Sequence, residues 1–182
     1  MGGTVKALDA IRARRSVRAY KPDAVPEDVV MDVLDAARWA PTSGNAQPWT
    51  FVRVREPEAR SALIATTYGG YARTAPEQAW LHSAPELILV CVEPLRTMAR
   101  YGSDGRAYAR LDVAAAVQTM LIAATAHGLG SAWVGGFDAD EAHAALQLAP
   151  DAEPLAIVAL GWSAEDVAEP YRLPLTDVLQ ER

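Results

Sequence analysis

The chain has 182 residues, 51% apolar and 22% charged, with a formal net charge of −6. It has too much to bury and too little repulsion for intrinsic disorder, and its length suits one core, so residues 1–182 are expected to form a single domain. The lone cysteine, Cys91, excludes an internal disulfide framework and metal sites built on several thiolates, and the acidic pI near 5.1 argues against nucleic acid as a partner.

Met1–Ala10 holds no apolar stretch of signal-peptide length. The longest apolar region, Val113–Ala126, is interrupted by Gln118, Thr119 and Thr125 and is shorter than the roughly 20 residues of a membrane span. The expectation is a cytoplasmic protein without a membrane partner. In chain order, Thr4 reads as an N-cap, and Val5, Leu8 and Ile11 follow at helical spacing to an end near Arg14. A second helix is expected from Pro26, with Glu27 and Asp28 in its first turn, stopping before Pro41. Thr42–Pro48 reads as loop, Trp49–Arg55 as strand and Pro57–Thr66 as helix, with an irregular stretch from Tyr68 to Thr74. Leu87–Val92 is a continuous apolar run, the mark of a buried strand. After a turn at Gly102–Gly105, Arg106–His127 is the longest helical pattern, apolar on most of its circumference, which predicts a central helix or an oligomer interface. Ser131–Val134 and Leu155–Leu160 read as strands and Asp138–Leu146 as a helix; the tail from Ser163 reads as an extended arm. The pattern is α+β or α/β, with a sheet sandwiched by helices.

Three segments could carry chemistry. Arg14-Arg15-Ser16-Val17-Arg18 offers three guanidinium groups and a hydroxyl, a donor set suited to phosphate; the plainer reading is arginines complementing a helix C-terminus. The segment Ala40-Pro41-Thr42-Ser43-Gly44-Asn45-Ala46-Gln47-Pro48-Trp49 joins helix to strand and is dense in hydrogen-bonding groups, as site-lining loops and ordinary turns both are. In Trp133-Val134-Gly135-Gly136-Phe137-Asp138 the paired glycines follow a strand, where they let the backbone approach a flat ligand or simply turn tightly with Asp138 as the next N-cap. There is no G-x-G-x-x-G, Walker or G-x-S-x-G pattern. His82, His127 and His143 lack metal-ligand spacing.

Together these pieces resemble one family. The string RRSVRAYKPDAVPEDVVMDVLDAARWAPTSGNAQPWTFVRV resembles the N-terminal third of a nitroreductase-family flavoprotein. The likeness continues through ARLDVAAAVQTMLIAATAHGLGSAWVGGFD, Ala159-Leu160-Gly161-Trp162 and Tyr171-Arg172-Leu173-Pro174-Leu175, nearly the whole chain. The resemblance implies an α+β nitroreductase-like fold with a mostly antiparallel central sheet flanked by helices, and an intertwined homodimer with FMN at the subunit interface. By that likeness Arg14, Arg15, Ser16 and Arg18 contact the FMN phosphate, ribityl chain and pyrimidine side, and Arg172 closes over the phosphate. Pro41, Thr42, Ser43 and Asn45 come from the other subunit, and Val134, Gly135 and Gly136 line the ring. The long helix forms the dimer core and the C-terminal arm wraps the partner. The implied activity is reduction of nitroaromatics, quinones or flavins by NAD(P)H, with no catalytic side chain and no metal. Dehalogenation, dehydrogenation, flavin modification and non-catalytic flavin binding are the alternatives. The chain departs from the family pattern at three points: no asparagine in Thr66–Thr74, Gly135 where many members have an acid, and Pro170 where many have a base.

Overall fold

In the computed structural model, residues 6–70 and 73–182 are described. The expected cap at Thr4 and the apolar Val5 lie outside them. Helix α1 (Ala7–Ala13) runs into an extended segment, because Arg14 already has φ −56° and ψ 128°. Helix α2 (Glu27–Ala37) starts directly after Pro26. Strand β1 (Trp49–Arg53) leads to α3 (Pro57–Ala65), which has proline in its first turn. Strand β2 (Glu86–Val92) is followed by α4 (Pro94–Tyr101) and α5 (Gly105–Ala126). Strand β3 (Gly130–Val134), α6 (Ala139–Ala145) and β4 (Glu153–Gly161) complete the body, and the tail carries the short helix α7 (Leu175–Val178).

The fold is α+β. Its sheet has the order β1-β2-β4-β3, with every neighbouring pair antiparallel. Both faces are covered, which explains why β2 and β4 read as unbroken apolar runs rather than alternating ones. Ile88, Val90, Ala156, Val158 and Leu160 face Val30 and Val33 of α2 and Val113, Val117 and Met120 of α5. Leu87, Leu89, Cys91, Ile157 and Ala159 face Leu63 and Ile64 of α3 and Ala142 of α6. Each such leucine, isoleucine or valine contributes about 1.5–3 kcal/mol by leaving water. Arg53 ties three elements together: it holds both carboxylate oxygens of Glu86 at 2.7 and 2.8 Å and reaches Glu27 of α2 at 2.6 Å.

The stretch Pro94–Ala126 is long and apolar enough to cross a membrane by composition. Its α5 portion instead buries Ala109, Val113, Ala116, Val117, Met120 and Ala124 within the core. That helix is not enclosed on every side within the chain, as its apolar circumference alone would suggest: Leu111 is 69% exposed. Helix α4 was not foreseen in the sequence. The tail from Ser163 pairs only briefly, through a bridge between Ser163 and Tyr20, and then lies open with Tyr171, Leu173 and Leu175 exposed.

Candidate functional site

Segment 14–21 leaves α1 and runs along the edge of the sheet. The Val17 N–H donates to the Ser131 carbonyl at 3.0 Å, and the Lys21 N–H to the Trp162 carbonyl at 2.8 Å. The Tyr20 hydroxyl is buried, donates to the Val17 carbonyl at 2.7 Å, and is pushed well above the usual phenol range by that burial. Glu165 anchors the tail by accepting the N–H groups of Arg18 and Ala19 at 2.5 and 3.1 Å. These bonds leave Arg14, Arg15, Ser16 and Arg18 facing Pro170 and Arg172 across a cleft of about 320 Å³.

The electrostatics of this cleft set it apart. Burial holds the Arg14 guanidinium below its ordinary pKa, and the neighbouring charges of Arg172 and Arg15 push in the same direction. Among the described residues, Arg15 donates only to the carbonyls of Arg12 and Arg14, and Arg172 only to that of Tyr171. Among the described residues, no carboxylate lies within ion-pair distance of Arg14, Arg15, Arg18 or Arg172. Elsewhere the chain does pair its arginines: Arg38 with Asp35, Arg53 with Glu86, and Arg106 and Arg110 with Glu153. Four guanidinium groups without an ion-pair partner among the described residues, with Glu169 lining one adjoining cleft and Glu165 and Asp166 another, make this a candidate anion site.

The glycine pair lies at the far end of β3. From Ser131, beside the arginines, to Gly135 is four residues, or about 13 Å at strand rise. A Cβ on Gly135 would meet nothing nearer than the Trp133 Nε1 at 3.9 Å, so the backbone there is bare and exposed. Gly136 is the opposite case, since a Cβ would stand 2.9 Å from the Tyr68 carbonyl oxygen. The Gly136 carbonyl accepts the Tyr68 N–H at 2.9 Å and Gln78 Nε2 at 3.2 Å, which fixes the turn from behind. Asp138 then caps α6 by accepting the N–H groups of Asp140 and Glu141.

The loop Pro41–Asn45 is held in an unusual shape. Gly44, Asn45 and Gln47 have φ of 58°, 57° and 49°, a region costly for non-glycine residues and kept only where the surroundings enforce it. Asp112, buried on α5, accepts the Ser43 N–H at 2.9 Å and its hydroxyl at 3.1 Å. Arg100 donates to the Gly44 carbonyl at 3.3 Å, and Arg96 to the Gln47 carbonyl at 2.9 Å. Thr42 Oγ1 accepts the Gln47 N–H at 3.2 Å.

The structure therefore gathers Arg14, Arg15, Ser16, Arg18 and Arg172 and sets Val134, Gly135 and Gly136 on the same strand edge. It does not bring Pro41, Thr42, Ser43 and Asn45 to them. That loop sits beside Asp112, whereas Arg15 shares a neighbouring cleft with Thr125. The two points are thirteen residues apart on α5, about 20 Å at helical rise. Asp112, Gln78 and Glu165 escaped the sequence reading. A single carboxylate inside an otherwise apolar helix was the available signal for Asp112; Gln78 and Glu165 stand in polar stretches that single out neither.

A family model described as "Nitroreductase family" matches residues 11–162. A Thermus thermophilus protein named NADH dehydrogenase is 34% identical, with 98% of each chain covered. A 5,6-dimethylbenzimidazole synthase of Rhodospirillum rubrum is 33% identical over 87% of this chain and 83% of its own. Among solved structures, a Desulfovibrio desulfuricans protein named a candidate nitroreductase and solved in complex with FMN superposes with TM-score 0.81 at 32% identity, covering 97% of this chain and 96% of that one. The motifs, the helix-flanked antiparallel sheet and these matches agree: the chain belongs to the nitroreductase family.

Proposed function

We propose that residues 1–182 form one FMN-binding domain of a homodimeric, cytoplasmic oxidoreductase that draws electrons from NAD(P)H and reduces nitroaromatics, quinones or flavins. The observation that carries this reading is the cleft of four arginines without ion-pair partners, with the bare backbone of Gly135 about 13 Å further along the same strand. The residues present fit FMN: a phosphate dianion needs several cations, and a flat ring needs backbone at close range. The family likeness and the FMN held by the Desulfovibrio desulfuricans relative support the assignment. The chemistry that FMN supplies when bound is two-electron transfer between a nicotinamide nucleotide and an oxidised acceptor.

The chain's own part is binding and orientation. Arg14, Arg15, Arg18 and Arg172 with Ser16 hold the phosphate end. Pro170 on the cleft wall adds no charge, so these four arginines carry the whole cationic load there. Val134, Gly135 and Gly136 admit the ring, and Gln78 keeps their turn fixed. A second copy of the chain, crossing along α5, would deliver its loop Pro41–Asn45 to the other side of the ring. Leu111 on α5 and Leu8 and Ile11 on α1 are exposed in the single chain, at 69%, 63% and 48%, and would be covered by that crossing. The tail with Tyr171, Leu173 and Leu175 would wrap the same partner.

Mixing the purified protein with FMN and sedimenting it tests the reading: a yellow dimer with one FMN per chain is expected, and a colourless protein or a monomer that still holds FMN overturns it. The Rhodospirillum rubrum relative favours a second reading, in which the same pocket builds a benzimidazole. Under that reading neither nicotinamide nucleotide reduces the bound flavin.

A further inference from the structure

A second cleft, of about 590 Å³, opens between the start of α3 and the segment 82–85, and it shares no lining residue with the arginine cleft described above. Arg60 of α3 lines it. Its guanidinium is half-buried and donates to three backbone carbonyls, those of Ala84 at 2.5 Å, Val54 at 3.3 Å and Pro85 at 3.4 Å. All three acceptors are neutral, and a guanidinium has five N–H donors, so Nε–H and one Nη2–H remain. Burial lowers the Arg60 pKa, and Glu86 is the one carboxylate whose field opposes that. Glu86, however, gives both of its oxygens to Arg53. Among the described residues no carboxylate lies within ion-pair distance of Arg60 or Arg55.

The rest of the lining has the same bias. Arg55 and His82 flank Arg60, Ser61 and Ser83 add hydroxyls, and no carboxylate lines the cleft. The nearest opposing charge on His82 is Glu77, at 3.8 Å and exposed. Two arginines and a histidine on a concave surface lined by no acid stand out in a chain with six more acids than bases, as do the four arginines of the first cleft. Arginine's fork matches two phosphate oxygens at once, and the Arg60 guanidinium is already oriented by its three carbonyl bonds, so little side-chain freedom is lost on binding.

We propose that this cleft is a second anion site that takes a phosphate group, free or as a phosphate monoester, through Arg60, Arg55 and His82. The proposal stands independently of the flavin assignment, because the two clefts have no residue in common. The test is calorimetric titration of the full chain, saturated with FMN, with inorganic phosphate and separately with adenosine 5′-monophosphate at constant ionic strength. Saturable binding is expected, weakened at least about tenfold in the double variant Arg55→Gln/His82→Gln, the loss of charge-assisted contacts. FMN affinity stays at the wild-type value in that variant. This pair is chosen because Arg60 also holds three loop carbonyls, so its removal would disturb the fold. Tighter binding of the nucleotide assigns the site to a monoester, and equal or tighter binding of phosphate assigns it to the free anion. Arg14→Ala repeats the titration to separate the two clefts, even if the protein does not retain FMN, and is expected to leave phosphate affinity unchanged. Failure of both ligands to bind the wild type, equal affinity in the double variant, or loss of binding in Arg14→Ala instead overturns the proposal.

Discussion

Removing Arg14 separates a binding role from a structural one. Its guanidinium is partly buried beside Arg15 and Arg172, has no carboxylate partner, and lies below its ordinary pKa for those reasons. A base with a depressed pKa is disfavoured in its charged form by folding, so Arg14→Ala should leave the flavin-free protein as stable as the wild type or more so. With FMN present the sign reverses. A charge-assisted contact to the phosphate is lost, at about 1.5–3 kcal/mol, which raises the FMN dissociation constant about 10- to 150-fold. Flavin fluorescence titration reads the constant, and thermal unfolding with and without FMN reads the stability. The rise in Tm that FMN confers should shrink in the variant. Added salt should narrow the difference between variant and wild type, because it screens the same interaction. Arg38→Ala, which removes an arginine paired with Asp35 on the surface, should leave FMN affinity unchanged. An unchanged dissociation constant in Arg14→Ala, or a flavin-free protein that loses as much Tm as the loaded one, would overturn the binding role of Arg14.

Three further outcomes follow from the geometry. Asp112→Ala strands the Ser43 N–H and hydroxyl without their acceptor and should cost about 1–3 kcal/mol, read as a lower Tm with Asp112→Asn in between; an unaltered Tm contradicts the role given to Asp112. Gly136→Ala drives a methyl onto the Tyr68 carbonyl and should cost about 1–3 kcal/mol, whereas Gly135→Ala meets only an ordinary contact with Trp133, should change stability by no more than about 0.5 kcal/mol, and should weaken FMN binding; equal losses of Tm would count against the assignment. Cys91 lies in β2 with its thiol pushed up to about 12, by burial first and Glu93 second. A raised acid pKa contributes stability that is complete below the ordinary thiol range and is lost as pH rises toward that value. The native protein should accordingly resist a thiol reagent at about pH 8 and react once unfolded; prompt native labelling refutes the burial argument.

Most elements were legible because their apolar spacing matched their surroundings. β2 and β4 are covered on both faces and so appear as continuous apolar runs. Helix α2 announces itself through Pro26, Glu27 and Asp28. Helix α4 does not, because its inward positions are Pro94 and Thr97 while Leu95 stands exposed, so the apolar period is inverted. Its proline in the first turn was the one available signal. The arginines of the candidate site were visible as a cluster, but their lack of counter-ions depends on where Glu165 and Glu153 end up, which sequence order does not reveal. Glu165 turns one carboxylate oxygen to two backbone N–H groups, and Glu153 pairs with Arg106 and Arg110. The separation of Pro41–Asn45 from those arginines is likewise a property of the long α5, along which the two groups take opposite ends.

In the proposed function, this fold takes electrons from a nicotinamide nucleotide through FMN held on Arg14, Arg15, Arg18 and Arg172. Anaerobic addition of NADH and of NADPH to the FMN-loaded protein tests it most directly. At least one nucleotide is expected to bleach the yellow flavin absorbance, and a nitroarene or quinone to restore it. Bound flavin that stays oxidised with both nucleotides would contradict it.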